Sequence, residues 1–391
     1  MISRYRLAGY LTGATLARTG DELSGPAILL LGMGTTASPR GSALLAGLTA
    51  AAAIGGPLFG AALDRSPAPG RLLTGALAGY AAGLGLVTTF FGTIPFGLVL
   101  AIAVLAGLLN PAIAGGWTAQ LPAVAGTHLP AASRLDALTF TAAALAGPGL
   151  AGLIATSAGA PAAEVTAIVL VVAALPAAWT LPRRPRPQRK SRLKDGFRVL
   201  LDNHALRRAT AVSTVSCAGI GLVTVCLPLL GAAHLRGPGD GPLLLTVLAA
   251  TSLVTNAVLA RHPLPLSPDV VVCLSTLVLA ASNAIAAAGH PVPAAAIAGI
   301  GEGPQLTALF AIRHREAPEH VRAQVFTTAA SVKITGLAAG AAVAGSLAAW
   351  SLPGCLLAAA ALQLLAATVY FTDKDEARHE KRKLTLGDPP A

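Results

Sequence analysis

The sequence predicts an all-α membrane protein, with twelve transmembrane helices in two pseudo-symmetric six-helix bundles. Three observations predict it. The 391-residue chain is 54% hydrophobic and only 12% charged, against about a quarter charged in a soluble domain; it has too little polar surface to cover a water-soluble globule. Its apolar residues fall into twelve runs of about 20 residues, the length that crosses a bilayer. One basic, Pro-rich stretch, Pro182 to Arg208, divides those runs six and six.

The first six runs are 7–33, 42–63, 71–91, 95–118, 136–158 and 162–181, forming a bundle over 1–181. Pro and Gly fall inside many of them, which membrane helices tolerate. The run from Leu7 is too long and too charged for the apolar core of a cleaved signal peptide, so it is expected to be a retained helix. Residues 182–208 carry ten Lys and Arg. Such a segment cannot enter hydrocarbon and is expected to be a basic cytoplasmic linker. Within it Leu193, Phe197, Leu200 and Leu201 recur at helical spacing, which predicts a short amphipathic helix from Leu193 to Leu206 lying on the membrane surface. The remaining runs, 209–231, 241–260, 269–289, 292–312, 323–349 and 352–372, form the second bundle over 209–372. Residues 373–391 read as a solvated, mixed-charge cytoplasmic tail.

Charge sets the expected orientation. Of 28 Lys and Arg, 24 fall on the face that holds both termini and only Arg40 and Arg236 on the other; Arg18 and Lys333 lie inside runs. The excess of basic residues in cytoplasmic loops then places both termini and the linker in the cytoplasm, with the chain multi-pass in the plasma membrane. Trp117, Trp179, Trp350 and Tyr370 sit near the ends of runs, as an aromatic belt requires.

Composition also excludes function classes. The net charge of +11 comes from short loops between apolar runs, and aromatics are only 4%; this is not a nucleic-acid-binding face. Cys217, Cys226, Cys273 and Cys355 lie in apolar segments without CxxC spacing, so no disulfide framework and no metal site is expected. Walker, HExxH and nucleophile-elbow motifs do not occur, so neither an enzyme nor a cofactor is expected.

The halves read as repeats. Pro111 in the fourth run and Pro304 in the tenth are 193 positions apart. Gly147 and Gly152 stand at the same offset from Gly340 and Gly345.

Charges inside a bilayer cost about 2.5–3.5 kcal/mol each on insertion scales and are functional candidates. The first run holds Arg18, Asp21 and Glu22, one helical turn apart, with Pro26 removing the helical donor from the Glu22 carbonyl. The tenth holds Glu302, with Gln305 on the same face and glycines and Pro304 around it; the eleventh holds Lys333. One reading makes these packing pairs, Arg18 with Glu22 and Glu302 with Lys333. The other makes Glu302, and one of Asp21 or Glu22, proton-exchanging groups, since the first run has two acids for one base.

The loop between the second and third runs, Gly60 to Arg71, reads GAALDRSPAPGR. Asp64 is an acid on a basic face. It can cap a helix N-terminus or pair with Arg65, Arg71 or Arg134. The stretch resembles the signature of the major facilitator superfamily, with Gly60, Asp64, Arg65, Gly70 and Arg71 matching, and Ser66-Pro67-Ala68-Pro69 longer than the usual spacing. The resemblance implies a 6+6 transporter with a central cavity lined by helices 1, 4, 7 and 10, and a gating role for this loop. Ala146 to Gly152, AGPGLAG, is similar to the core of the Gly-Pro signature of drug–proton antiporters, without its upstream glycines. The fourth helix lacks the buried Arg of many proton-coupled drug exporters, and Asn110 is its main polar group.

The expected function is secondary transport by alternating access, specifically proton-coupled efflux of an apolar or amphipathic small molecule. The cavity groups on those helices are Arg18, Asn110, Gln305, Ser213, Ser216 and Thr224. They are few, which favours a greasy substrate over a sugar or phosphate. A proton-coupled importer of a metabolite, a non-transporting membrane sensor and a pump driven by a separate ATPase are the alternatives. The expected partners are the substrate, protons and membrane lipids, with the chain a monomer.

Overall fold

The computed structural model describes residues 2–36, 40–183, 192–235, 241–262 and 265–386. Arg184, Arg186, Arg189 and Lys190 of the linker, Arg236 and the Tyr370 side chain lie outside the described residues. Those described form sixteen α-helices and short 3₁₀ turns, with no strand among them. In the first half these are α1 (Ile2–Thr36), α2 (Arg40–Arg65), α3 (Pro69–Phe90), α4 (Phe96–Gly107), α5 (Gly115–Thr118), α6 (Leu121–Ala125), α7 (Leu129–Ala158), α8 (Ala160–Ala173) and α9 (Leu175–Trp179). After them come α10 (Leu193–Asp202), α11 (His204–His234), α12 (Gly241–Arg261), α13 (Pro268–Ala287), α14 (Pro291–Glu316), α15 (Arg322–Trp350) and α16 (Leu352–Leu386). Ten segments among them are long and apolar enough to cross a membrane.

Proline decides several boundaries. Pro111 has no N–H to give, and the fourth run, expected as one helix, breaks there: α4 stops at Gly107 and the chain passes through a 3₁₀ turn, Asn110–Ala112, before α5. Pro176 likewise separates α8 from α9. Pro26 and Pro304 lie inside continuous helices. The linker helix is shorter than expected. It stops at Asp202 because Asn203 caps the next helix, its side chain accepting from the Leu206 N–H at 3.0 Å. Its Phe197 is exposed, and with Ile54, Pro57 and Leu58 of α2 it lines an open groove of about 630 Å³, rimmed by Arg192 and Lys194. Trp179 and Trp350 are exposed, as belt residues should be. Trp117 is not a belt residue. It is fully buried, edge-on to Tyr10 with ring centroids 6.0 Å apart, because the break at Pro111 keeps its segment within the packed interior.

Packing divides the chain into two units. The first is Met1–Phe197 with Asn256–Pro263 and Ala317–Ile334; the second is Arg198–Thr255, Leu264–Glu316 and Thr335–Ala391. In the first, α1 lies against α7 and α8, α2 against α4, and α3 against α4, α8 and α9. In the second, α13 packs on α14 and α16, and α11 on α16 and α14. Small residues let the backbones approach. A Cβ on Gly147 would stand 2.7 Å from the Glu22 carbonyl carbon on α1, and one on Gly340 would stand 2.8 Å from that of Ala218 on α11. Gly152 and Gly345 both face open space. The glycines at the shared offset therefore meet matching surroundings, each within its own unit. Pro111 and Pro304 do not match, since one breaks its helix and the other does not.

All four cysteines are free and buried. Cys226 and Cys355 lie 3.5 Å apart, sulfur to sulfur, in the apolar core of the second unit.

Candidate functional site

The three charges of α1 part company. Arg18 is 2% exposed and its counter-ion is Asp136 of α7, 0% exposed, with Nη1 to Oδ1 at 2.8 Å. The pairing with Glu22 does not form; Glu22 is exposed. Residues three and four positions on from Arg18 leave the helix about 100° apart, so they reach different neighbours. Arg18 Nη1 also donates to the Asp136 carbonyl at 3.1 Å and to Thr139 Oγ1, and Nη2 donates to Thr118 Oγ1 at 2.9 Å. The guanidinium lies 3.6 Å from the Phe140 ring centroid. Asp136 in turn accepts from the Tyr10 hydroxyl at 3.0 Å and from Thr118 at 3.0 Å. This ionic network joins α1, α5 and α7, and of the guanidinium nitrogens Nε is left without an acceptor among the described residues.

Asp21 looks elsewhere. Its Oδ1 accepts from the Tyr80 hydroxyl of α3 and from Asn110 Nδ2, each at 2.6 Å. Ser24 lies 3.4 Å from the same hydroxyl. The break at Pro111 brings Asn110 here. Both donors to Asp21 are neutral, so among the described residues its charge, unlike that of Asp136, has no bonded cation. Glu164 is fully buried on α8, which packs against the α1 and α3 that carry Asp21 and Tyr80. Sequence reasoning missed Asp136, Tyr80, Thr118 and Glu164. Asp136 and Glu164 were visible as acids at the margins of runs, where they read as ends.

In the second unit, Gln305 of α14 donates to Ser216 Oγ of α11 at 3.3 Å, and Gln363 of α16 donates to the Ser216 carbonyl at 2.9 Å. Ser213 and Thr224 turn their hydroxyls back onto α11, to the carbonyls of Thr210 and Ile220, at 2.9 Å each. Thr224 is exposed. Glu302 is half-buried on α14, and Lys333 is half-buried on the part of α15 that belongs to the first unit.

The signature loop forms the helix-capping arrangement among those it allows. Asp64, buried at the end of α2, accepts from the backbone N–H of Ala323 at 2.9 Å and of Gln324 at 2.8 Å, in the first turn of α15. A carboxylate there meets two unsatisfied donors and the positive end of the helix dipole. Gly60, one turn earlier, makes the approach possible: a Cβ would lie 2.6 Å from Gln324 Cα and 2.9 Å from the Ala323 carbonyl oxygen. The longer Ser66–Pro69 spacing is accommodated by a turn in which Ser66 Oγ accepts from the Ala68 N–H at 3.2 Å and Pro69 opens α3. Gly70 abuts the Ala178 carbonyl of α9, and Arg71 lies 5.2 Å from the Trp179 ring centroid. Arg65 is exposed in the last turn of α2, and Arg134 is half-buried near the start of α7. Gly60→Leu should therefore push α2 from the first turn of α15 and destabilise the protein by about 1–3 kcal/mol, as overpacking does. The unfolding temperature in detergent measures it; an unchanged value would mean that the two helices part at no cost.

A multi-pass helical chain that spends ionic networks inside its apolar helices belongs to the class of membrane transporters, where such groups mark pathways. A family model described as Major Facilitator Superfamily matches residues 10–263, and the chain belongs to that family; it is a transporter and not an enzyme. Curated proteins give no match. The human organic anion transporter MFSD10 is similar in structure, with TM-score 0.77 and 17% identity over 95% of this chain and 100% of that one. The Escherichia coli fucose:proton symporter FucP has TM-score 0.74 and 14% identity, over 95% and 99%. A bacterial homologue of the iron transporter ferroportin, in an outward-facing state, has 0.76 and 12%, over 95% and 99%. At these identities the likeness is one of fold.

Proposed function

We propose that this chain is a secondary transporter that exports apolar or amphipathic small molecules in exchange for protons, by alternating access. The observation that carries the reading is Asp21, a carboxylate within the helices that is held by the neutral donors Tyr80 and Asn110 and, among the described residues, by no bonded base. Such a group can take up and release a proton as its surroundings change. Glu302 is the corresponding candidate in the second half, with Glu22 in reserve. A greasy substrate is supported by the small number of polar side chains left to meet it, since Ser213 and Thr224 are bonded to their own helix. The structural neighbours carry names as different as organic anion transporter and fucose:proton symporter, so direction rests on the Gly-Pro motif of Ala146 to Gly152.

In this reading the chain crosses the membrane twelve times, as a 1–181 bundle and a 209–372 bundle joined by the linker. The 63-residue segment Phe96–Ala158 is about 95 Å long if helical throughout, enough for two crossings, and α1 adds one to the ten. The protein works as a monomer, and Arg18 serves to hold the site rather than to bind substrate.

The test is flux. Everted vesicles containing the protein, screened against a panel of toxic apolar compounds, should accumulate one of them when the lumen is acid. Accumulation that survives a proton uncoupler while ATP is held constant points to a separate ATPase, and uptake only with the opposite gradient points to an importer. Binding without any flux would make the chain a sensor. Orientation is checked separately: single cysteines at 188, 40 and 236 in a cysteine-free background should react with an impermeant thiol reagent in intact cells at 40 and 236 only. Labelling at 188 alone would invert the topology.

A further inference from the structure

Glu164 is a buried acid that the reading above leaves unused. It lies in the first turns of α8, is 0% exposed, and neither of its carboxylate oxygens has a hydrogen-bond partner among the described residues. Its own helix surrounds it with Ala163 and Ala167, which pack against Leu23 and Ala27 of α1 and Ala151 of α7. The helices against α8 are α1, α3, α7 and α9. From α1 comes the turn that carries Asp21: a Cβ on Gly20 would stand 2.7 Å from the Ala167 carbonyl oxygen of α8, and Leu23 packs with Ala163 and Ala167. From α3 come Tyr80, hydrogen-bonded to Asp21, and Arg71, exposed at the start of that helix. The other charges of α1 are Arg18, engaged with Asp136, and Glu22, exposed. Those of α7 are Asp136, engaged with Arg18, and Arg134, which precedes Ala151 by 17 positions, about five helical turns. The α9 segment, Leu175–Trp179, holds no titratable group.

We propose that Asp21 and Glu164 together form a site for one monovalent cation within the first unit, and that its occupant is a proton. A charged Glu164 buried with both oxygens unmet, on a helix packed against that of a second carboxylate, is costly in a low-dielectric interior, and a bound cation relieves that cost. A metal ion would need a shell of oxygen ligands. Here no group of three or more His, Cys, Asp or Glu suited to a metal occurs among the described residues. A proton needs one lone pair. Asp21 is only half-buried and meets Tyr80 and Asn110, so it is the member through which the proton enters from water and leaves to it; Glu164 is the sealed second position. This deepens the proton-coupling reading, but its test needs neither a substrate nor transport.

The test is infrared titration of the purified protein, using the carbonyl stretch of a protonated carboxyl group and its shift in heavy water. Wild type should show such a band, Glu164→Gln should lose it, and Asp21→Asn should shift it because a neighbouring acid has gone. Glu164→Gln is isosteric with the protonated acid and should fold; were it unstable, the Asp21→Asn shift still decides. A band identical in all three proteins overturns the site. Sodium chloride added at fixed pH should leave the band in place, and its loss would overturn the proton as occupant. Proton-driven flux with an unaltered band in Glu164→Gln would sink this site and spare the transporter, whereas the expected bands without flux would do the reverse.

Discussion

Asp136→Ala should destabilise the protein by about 3–5 kcal/mol, the usual penalty for leaving a buried charge without its partner. Arg18 cannot escape to water, because its side chain is 2% exposed and lies against the Phe140 ring. Removing the carboxylate also takes the acceptor from the Thr118 hydroxyl and leaves that of Tyr10 only the Trp117 carbonyl at 3.3 Å. These losses fall on one network and will not add as independent terms. Unfolding in detergent should shift down by several degrees. The double variant Arg18→Met, Asp136→Leu removes both charges and should recover most of the loss, since a buried ion pair replaced by apolar groups of similar size is often near neutral. An Asp136→Ala protein as stable as wild type, or a double variant worse than the single one, would show that Arg18 has another way to be compensated.

Much of this chain was legible in its sequence, and for definite reasons. The apolar runs are long, and the surface helix shows in the spacing of Leu193, Phe197 and Leu200; the breaks at Pro111 and Pro176 were not read, because membrane helices also carry proline without breaking. Asp64 could be read because its candidate roles, cap or ion pair, are local chemistry, though which was used depended on the first turn of α15, 259 positions away. The pairing of Arg18 was not legible. Periodicity pointed to Glu22 on the same helix, whereas the true partner lies 118 positions on and is set by packing of α1 on α7. Tyr80 looked like one more apolar residue of a span until Asp21 was seen to bind it. Trp117 was misread because proximity to the end of a run stood in for proximity to the membrane surface.

Asp64→Asn should slow transport by about 10- to 100-fold while leaving the protein folded. Its carboxylate gives one oxygen to each of two backbone N–H groups and places negative charge at the start of α15. Asparagine has one oxygen, so one N–H keeps its acceptor while the other faces an NH₂ group, and the favourable charge at the helix end is gone. A lost charge-assisted bond of this kind is worth roughly 1.5–3 kcal/mol. The bonds can form only while α2 and the first turn of α15 touch, so the loss falls on whichever state of the cycle holds them together; the population of that state shifts by the same free energy. The effect should therefore appear in turnover more than in affinity for the compound that the flux screen selects. Asp64→Glu keeps the charge but lengthens the arm, and should sit between wild type and Asp64→Asn. Initial rates in proteoliposomes, at matched protein levels and with binding measured alongside, decide it. Wild-type flux from folded Asp64→Asn would mean that these bonds only brace the loop, and that closure of the gate is carried by other contacts.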